Sequence, residues 1–110
     1  MSADEDVIKG QAIDLADHVQ YAEGSIVSKT LINKETGTLT LFAFEAGQAL
    51  SEHTAPFDAV VEVIDGQAEI TIGGNAVTVK KGQIIVMPAD VPHALDAKEK
   101  FKMMLTMIRS

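Results

Sequence analysis

From residue 24 onward, apolar and polar positions change over in short runs rather than at helical spacing. Residues 25–33 alternate imperfectly and stop at Gly37; residues 38–45 (TLTLFAFE) are strand formers throughout and turn at Ala46-Gly47. Residues 59–64 (AVVEVI) are nearly all apolar and end on Asp65-Gly66, a dipeptide suited to a hairpin. Ala68, Ile70 and Ile72 then alternate with Glu69 and Thr71, the pattern of a strand with one wet face. Gly73-Gly74-Asn75 predicts a tight hairpin, after which Val77 and Val79 continue the inner face. Lys81-Gly82 turns the chain into Ile84, Ile85, Val86 and Met87; residues 94–97 are a short piece, and residues 101–108 (FKMMLTMI) form the last strand. About eight short strands with closely spaced turn signals, and no long helical pattern between them, predict an all-β barrel or sandwich.

Before that region the pattern is weak. Residues 1–12 carry Asp4, Glu5 and Asp6 with little periodicity and predict a loosely docked start, so the core barrel is expected over about 24–109 of a single 1–110 domain. Residues 14–19 (DLADHV) predict one helical turn with Asp14 as its N-cap, and His18 reads as a surface histidine.

Three runs (38–44, 59–64 and 84–87) are apolar on both strand faces. A lone barrel buries one face of each strand, so the other needs a cover. A second copy of the chain is the expected cover, which predicts a homodimer with residues 25–31 as a candidate pairing edge.

Composition narrows the function classes. At 110 residues the chain can bury roughly two-thirds of its unfolded surface, enough for one core without staples. It has no cysteine, which removes disulfides, thiolate zinc sites and cysteine nucleophiles. The acidic N-terminal sequence lacks the apolar core of a signal peptide, and no run approaches the ~20 apolar residues of a membrane span. A cytoplasmic protein is expected. The net charge of -7 opposes nucleic acid and anionic membrane as partners. The single basic cluster (Lys98, Lys100, Lys102) reads as a solvated loop and strand edge.

Candidate chemistry rests on two glycine-led stretches, residues 47–66 (GQALSEHTAPFDAVVEVIDG) and 82–93 (GQIIVMPADVPH), which present His53 and His93. The first sets Gly47, His53, Ala55, Ala59 and Gly66 at the intervals of one known motif; the second does the same with Gly82, Pro88, Asp90, His93 and Ala97. In these spacings the chain resembles a small single-domain cupin of the conserved-barrel (type 2, RmlC-like) kind. The resemblance implies a jelly-roll β-barrel, a dimer, and a pocket at the barrel mouth. It also implies a divalent transition metal (Fe, Mn, Ni or Zn) held by three histidines and a glutamate.

This chain departs from that donor set. His53 and His93 stand at two metal positions, while Ala55 and Ala59 stand where a histidine and the glutamate belong. Residues i and i+2 of a strand share a face, so Ala55 is expected to point where His53 points. Two imidazoles fall short of the three or four protein ligands such ions take. Asp58, after Pro56-Phe57, is the best candidate third ligand, with Gln48, Glu52 and Glu62 less well placed. Met87, Met103 and Met107 are candidate pocket-lining residues or core fillers.

The expected function is therefore a small-molecule-binding cupin with a degenerate two-histidine site and a weak or absent metal. The alternatives are a metal-dependent oxygenase or isomerase using His53, His93 and a recruited carboxylate, and a ligand-sensing module. His53 and His93 are the candidate catalytic groups should there be catalysis. No Ser-His-Asp set or phosphate-cradling loop is present in the sequence pattern.

Overall fold

A computed structural model describes residues 9–109. Its regular elements are a three-residue 3-10 turn, Leu15–Asp17, and nine strands. These are β1 (Ile26–Lys34), β2 (Gly37–Phe44), β3 (Ala49–His53), β4 (Ala59–Asp65), β5 (Gln67–Ile72), β6 (Asn75–Lys80), β7 (Ile84–Met87), β8 (His93–Asp96) and β9 (Phe101–Ile108). They form two antiparallel sheets, one ordered β1-β2-β9-β4-β7 and the other β3-β8-β5-β6, the two-layered jelly-roll barrel that the strand pattern implies. The short β3 is the element the apolar pattern missed, because four of its five residues are exposed.

Register fixes which side chains enter the barrel. Val61, Val63 and Ala59 of β4 face inward, and their partners carry Leu105, Met103 and Met107 from β9 and Ile85 and Met87 from β7 to the same side. Sheet two contributes Ala68, Ile70, Val79 and Leu95. Phe44 stacks on Phe101 at the closed end, with ring centroids 4.5 Å apart. Gly66 makes the β4–β5 hairpin with φ +67°, and a Cβ there would run into the Lys100 carbonyl oxygen, so glycine is required on both counts.

The two-faced apolarity of residues 38–44 has a cover within the chain. Leu41 and Ala43 face outward, and together with Leu31 and Val19 they form a second buried cluster. Ile13, Leu15 and Tyr21 pack on it from the segment before β1, which lies as a strap across the larger sheet. The strap is held by polar groups as well. Lys102 Nζ donates to the Ala16 carbonyl, and Tyr21 Oη donates to Asp65 Oδ2 at 2.6 Å. Lys100 and Lys102 each place an ammonium 4.8 Å from the Tyr21 ring centre.

Three expectations change here. Asp14 stands at the N-cap of the 3-10 turn as expected, but its side chain makes no cap bond. Lys102 is buried at 7 % exposure rather than solvated, because its alternation position turns it under the strap. A second copy is not needed to cover Leu41 and Ala43, although Ile84 and Val86 on the outer face of β7 remain 61 % and 52 % exposed.

Candidate functional site

His53 closes β3 and His93 opens β8, and the two residues are direct partners across the ladder. A register irregularity between Leu50 and His53 leaves Ser51 and Glu52 out of the pairing, so the strand bends as it delivers the ring. His93 is delivered by the turn at 88–92, where Asp90 takes φ 64° at the position where the resembled motif has glycine. That left-handed residue donates its N–H to the Ala55 carbonyl at 2.8 Å, tying the two histidine-bearing loops together. The Pro92 carbonyl accepts from Gly73 N–H at 2.8 Å, fixing the same turn to the β5–β6 hairpin.

The rings meet. Their Nε2 atoms are 3.1 Å apart, and the planes lie edge to face at 69° with centroids 4.3 Å apart. His93 is buried, while His53 is exposed and opens the pair to solvent. His53 Nδ1 lies 2.7 Å from the Ser51 carbonyl oxygen and His93 Nδ1 lies 3.3 Å from that of Val91. A carbonyl only accepts, so a bond at either Nδ1 places a hydrogen there, whereas the Nε2–Nε2 contact needs a hydrogen on one of the two Nε2 atoms. The two Nε2 atoms can share one hydrogen directly, or each can face a hydroxyl, an amine or a cation brought between them.

The donor set decides against the metal centre that the resembled motifs imply. Two imidazole nitrogens on one ion, each at about 2.1 Å and roughly at right angles, would stand about 3 Å apart, so the spacing alone does not discriminate. The ligand count does: among the described residues no group of three or more His, Cys, Asp or Glu side chains is placed to hold an ion. A tightly held four-ligand ion therefore does not fit these residues.

The other sequence candidates sit as follows. Asp58 Oδ1 accepts the Ala89 N–H at 2.8 Å, so the proposed third ligand instead clamps the 54–58 loop to the turn that carries His93. Ala59 is buried on the inner face between Met107 and Met87. Ala55 lies two residues past the end of β3, so strand alternation does not govern its direction, contrary to the expectation. Glu62 has the outward parity of β4, between Met104 and Ile84, and Glu52 is exposed in the bulged stretch. Gln48 contributes its carbonyl to Ala97 N–H at 2.9 Å. Met87 and Met103 are buried in the interior cluster, and Met107 packs against it half-buried, which is the core-filling role.

A feature missed by the sequence reading lies on β2. Its inner face carries Thr38 and Thr40 at the end away from Phe44, and Thr38 shares a row with Met107, Ala59 and Met87. Thr38 Oγ1 is buried and has no hydrogen-bond partner. The strand-former run 38–45 carried no marker for it, since hydroxyl and apolar residues were read together as β-formers.

The comparisons with known proteins agree with this architecture. The family model described as a cupin domain matches residues 40–109. A crystal structure of a conserved Streptococcus pyogenes protein of unknown function is similar over 100 % of this chain and 96 % of that one, at 36 % identity and TM-score 0.91. A cupin 2 conserved barrel domain protein from Leptotrichia buccalis is 42 % identical with TM-score 0.85, covering 87 % of this chain and 47 % of that chain. An uncharacterized protein of Streptomyces coelicolor is 36 % identical over 53 residues, which is 48 % of this chain and 50 % of that protein. The chain thus spans only half the length of the curated relative it matches. Barrel topology, the two glycine-led histidine stretches and the match across 40–109 together place this chain in the cupin-domain family.

Proposed function

We propose that this chain is a small-molecule-binding cupin whose ligand is held at the His53–His93 pair, without a tightly bound resident metal. The observation that carries the reading is the 3.1 Å approach of the two Nε2 atoms, on rings whose Nδ1 atoms face carbonyls. The ring orientations are set in advance, so a polar ligand meets a prearranged pair of imidazole nitrogens at little ordering cost. The reading of a metal-dependent oxygenase or isomerase asks for a third and fourth protein donor, and Asp58, the carboxylate nominated for that work, is engaged with Ala89. Self-association belongs to the same proposal: Ile84 and Val86 offer an outer face for a second copy at the β7 edge of the larger sheet.

The test is titration of protein carrying 15N-labelled histidine with a panel of small polyols and carboxylates, alongside metal analysis of the protein as purified. The reading expects His53 and His93 resonances to move together with at least one probe, and His53→Ala to abolish the effect. Stoichiometric iron, manganese, nickel or zinc that is lost in the His53→Ala, His93→Ala double variant would replace it with the metal-enzyme reading.

A further inference from the structure

A cavity of about 380 Å3 lies against the two histidine-bearing loops and is lined by neither histidine. Pro56, Phe57 and Asp58 line it from the β3–β4 loop, Ala89 from the turn after β7, and Ile108 and Arg109 from the end of β9. That volume suits a small ligand. The walls are tied together by backbone groups. Ile108 N–H donates to the Asp58 carbonyl at 3.2 Å, Ala89 N–H to Asp58 Oδ1 at 2.8 Å, and Arg109 N–H to the Thr36 carbonyl at 2.8 Å. Three segments distant in sequence thus hold one shape in advance, which lowers the ordering cost of binding.

Two opposite charges line this one space without meeting. The Arg109 guanidinium rests on the Phe57 ring, 5.7 Å from its centre, and forms no ion pair with Asp58. Asp58 gives one carboxylate oxygen to Ala89 N–H and keeps the second as an acceptor. The guanidinium only donates, in a fork that matches a carboxylate. Both side chains are exposed, so a ligand reaches them from solvent. A simple anion would meet the Asp58 carboxylate on one wall, and a simple cation would meet Arg109 on the other. A molecule that carries an ammonium and a carboxylate side by side meets an opposite charge on both. The remaining surface, from Pro56, Phe57 and Ile108, is apolar and takes a hydrocarbon side chain.

We propose that this cavity is a second ligand site, and that its ligand is a free amino acid with an apolar side chain. The site does not depend on the function proposed for the histidine pair.

L-leucine is the probe, beside two analogues that each lack one charge: isocaproate, without the ammonium, and isoamylamine, without the carboxylate. Each is titrated in the millimolar range into 15N-labelled protein. L-leucine should shift the backbone amides of Asp58, Ala89, Ile108 and Arg109 saturably. Each analogue should bind about tenfold more weakly, because one charge-assisted contact is lost. Arg109→Gln should weaken leucine binding about tenfold, and so should Asp58→Asn, which keeps an acceptor for Ala89 N–H. Amides that stay still with leucine would overturn the proposal. So would isocaproate or isoamylamine binding as tightly as leucine, or leucine binding unchanged in either variant. If leucine moves the His53 and His93 imidazole resonances and not these amides, this site falls and the histidine site stands. If it moves these amides and not the imidazoles, this site is supported, and the histidine reading keeps its own test.

Discussion

Asp58 separates two accounts of the site, and its variants give opposite results under each. If its carboxylate is the clamp between the histidine-bearing loops, what matters is an oxygen that accepts from Ala89 N–H, at 2.8 Å across 31 positions of sequence. Asp58→Asn keeps an acceptor oxygen of the same reach, whereas Asp58→Ala removes it. A hydrogen bond to a charged acceptor contributes about 1.5–3 kcal/mol when shielded. This bond is exposed, so solvent competes and about 0.5–1.5 kcal/mol is the reasonable loss for Asp58→Ala. With an unfolding entropy of about 2.1 cal/mol/K per residue, that loss corresponds to a Tm lower by roughly 2–6 °C for a chain of this size. Thermal unfolding followed by circular dichroism reads it directly. The account expects Asp58→Asn to lie within about 2 °C of the parent. The reasoning is refuted if Asn is as damaging as Ala. It is equally refuted if both variants keep full stability but lose a bound transition metal, because Asp58 would then be a ligand.

The remaining predictions concern the strap and the missing ligands. Lys102→Met removes the donor to the Ala16 carbonyl and should cost about 1 kcal/mol. Hydrogen exchange should quicken in residues 15–19 while the barrel strands keep their protection; unchanged exchange there would show that Lys102 does not hold the strap. Tyr21 is held well above its ordinary value of 10.0, chiefly by burial and then by the hydrogen bond to Asp65. A folded-state value raised above the unfolded one means that its contribution is complete below pH 10 and is lost as pH rises through the folded value. The stability difference between the parent and Tyr21→Phe, measured by urea unfolding, should therefore be flat to about pH 10 and shrink above it; a difference that grows with alkalinity contradicts the sign. Ala59→Glu combined with Ala55→His should destabilise the metal-free protein, because Ala59 is 3 % exposed between Met87 and Met107. Calorimetric zinc affinity should rise by orders of magnitude, and no gain would mean that these positions do not converge on the pair.

The parts of this fold legible from sequence were those where one pattern acts locally. Asp65-Gly66 and Gly73-Gly74-Asn75 specify hairpins by backbone chemistry, and Ala68-Ile70-Ile72 declares its inner face by alternation. His53 and His93 were legible through the intervals to Gly47, Gly82 and Pro88, and the ladder does pair them. What stayed hidden depends on contacts between distant segments. The strap has no periodicity, because Val19, Leu15 and Tyr21 conform to the surface of β2 rather than to a helix or strand of their own. Lys102 looked solvated beside Lys98 and Lys100, yet its burial is decided by Ala16, 86 positions away. Lys98 and Lys100 are exposed as expected, Lys98 paired with Glu69 at 2.8 Å. Asp58 looked like a carboxylate free to turn inward because its partner is a backbone N–H in the other motif, which carries no residue-type signal. Thr38 was invisible for the same reason: being unpartnered is a property of the whole interior.

The central claim is that His53 and His93 form one imidazole pair for a ligand rather than the remains of an occupied metal centre. The imidazole 15N spectrum of the protein as purified, recorded before and after exhaustive chelation, tests it most directly. The account predicts a spectrum that chelation leaves unchanged, and Nε2 resonances of the two rings that respond together to added ligand. Nε2 resonances that shift when metal is removed, or two rings that respond independently of one another, would contradict it.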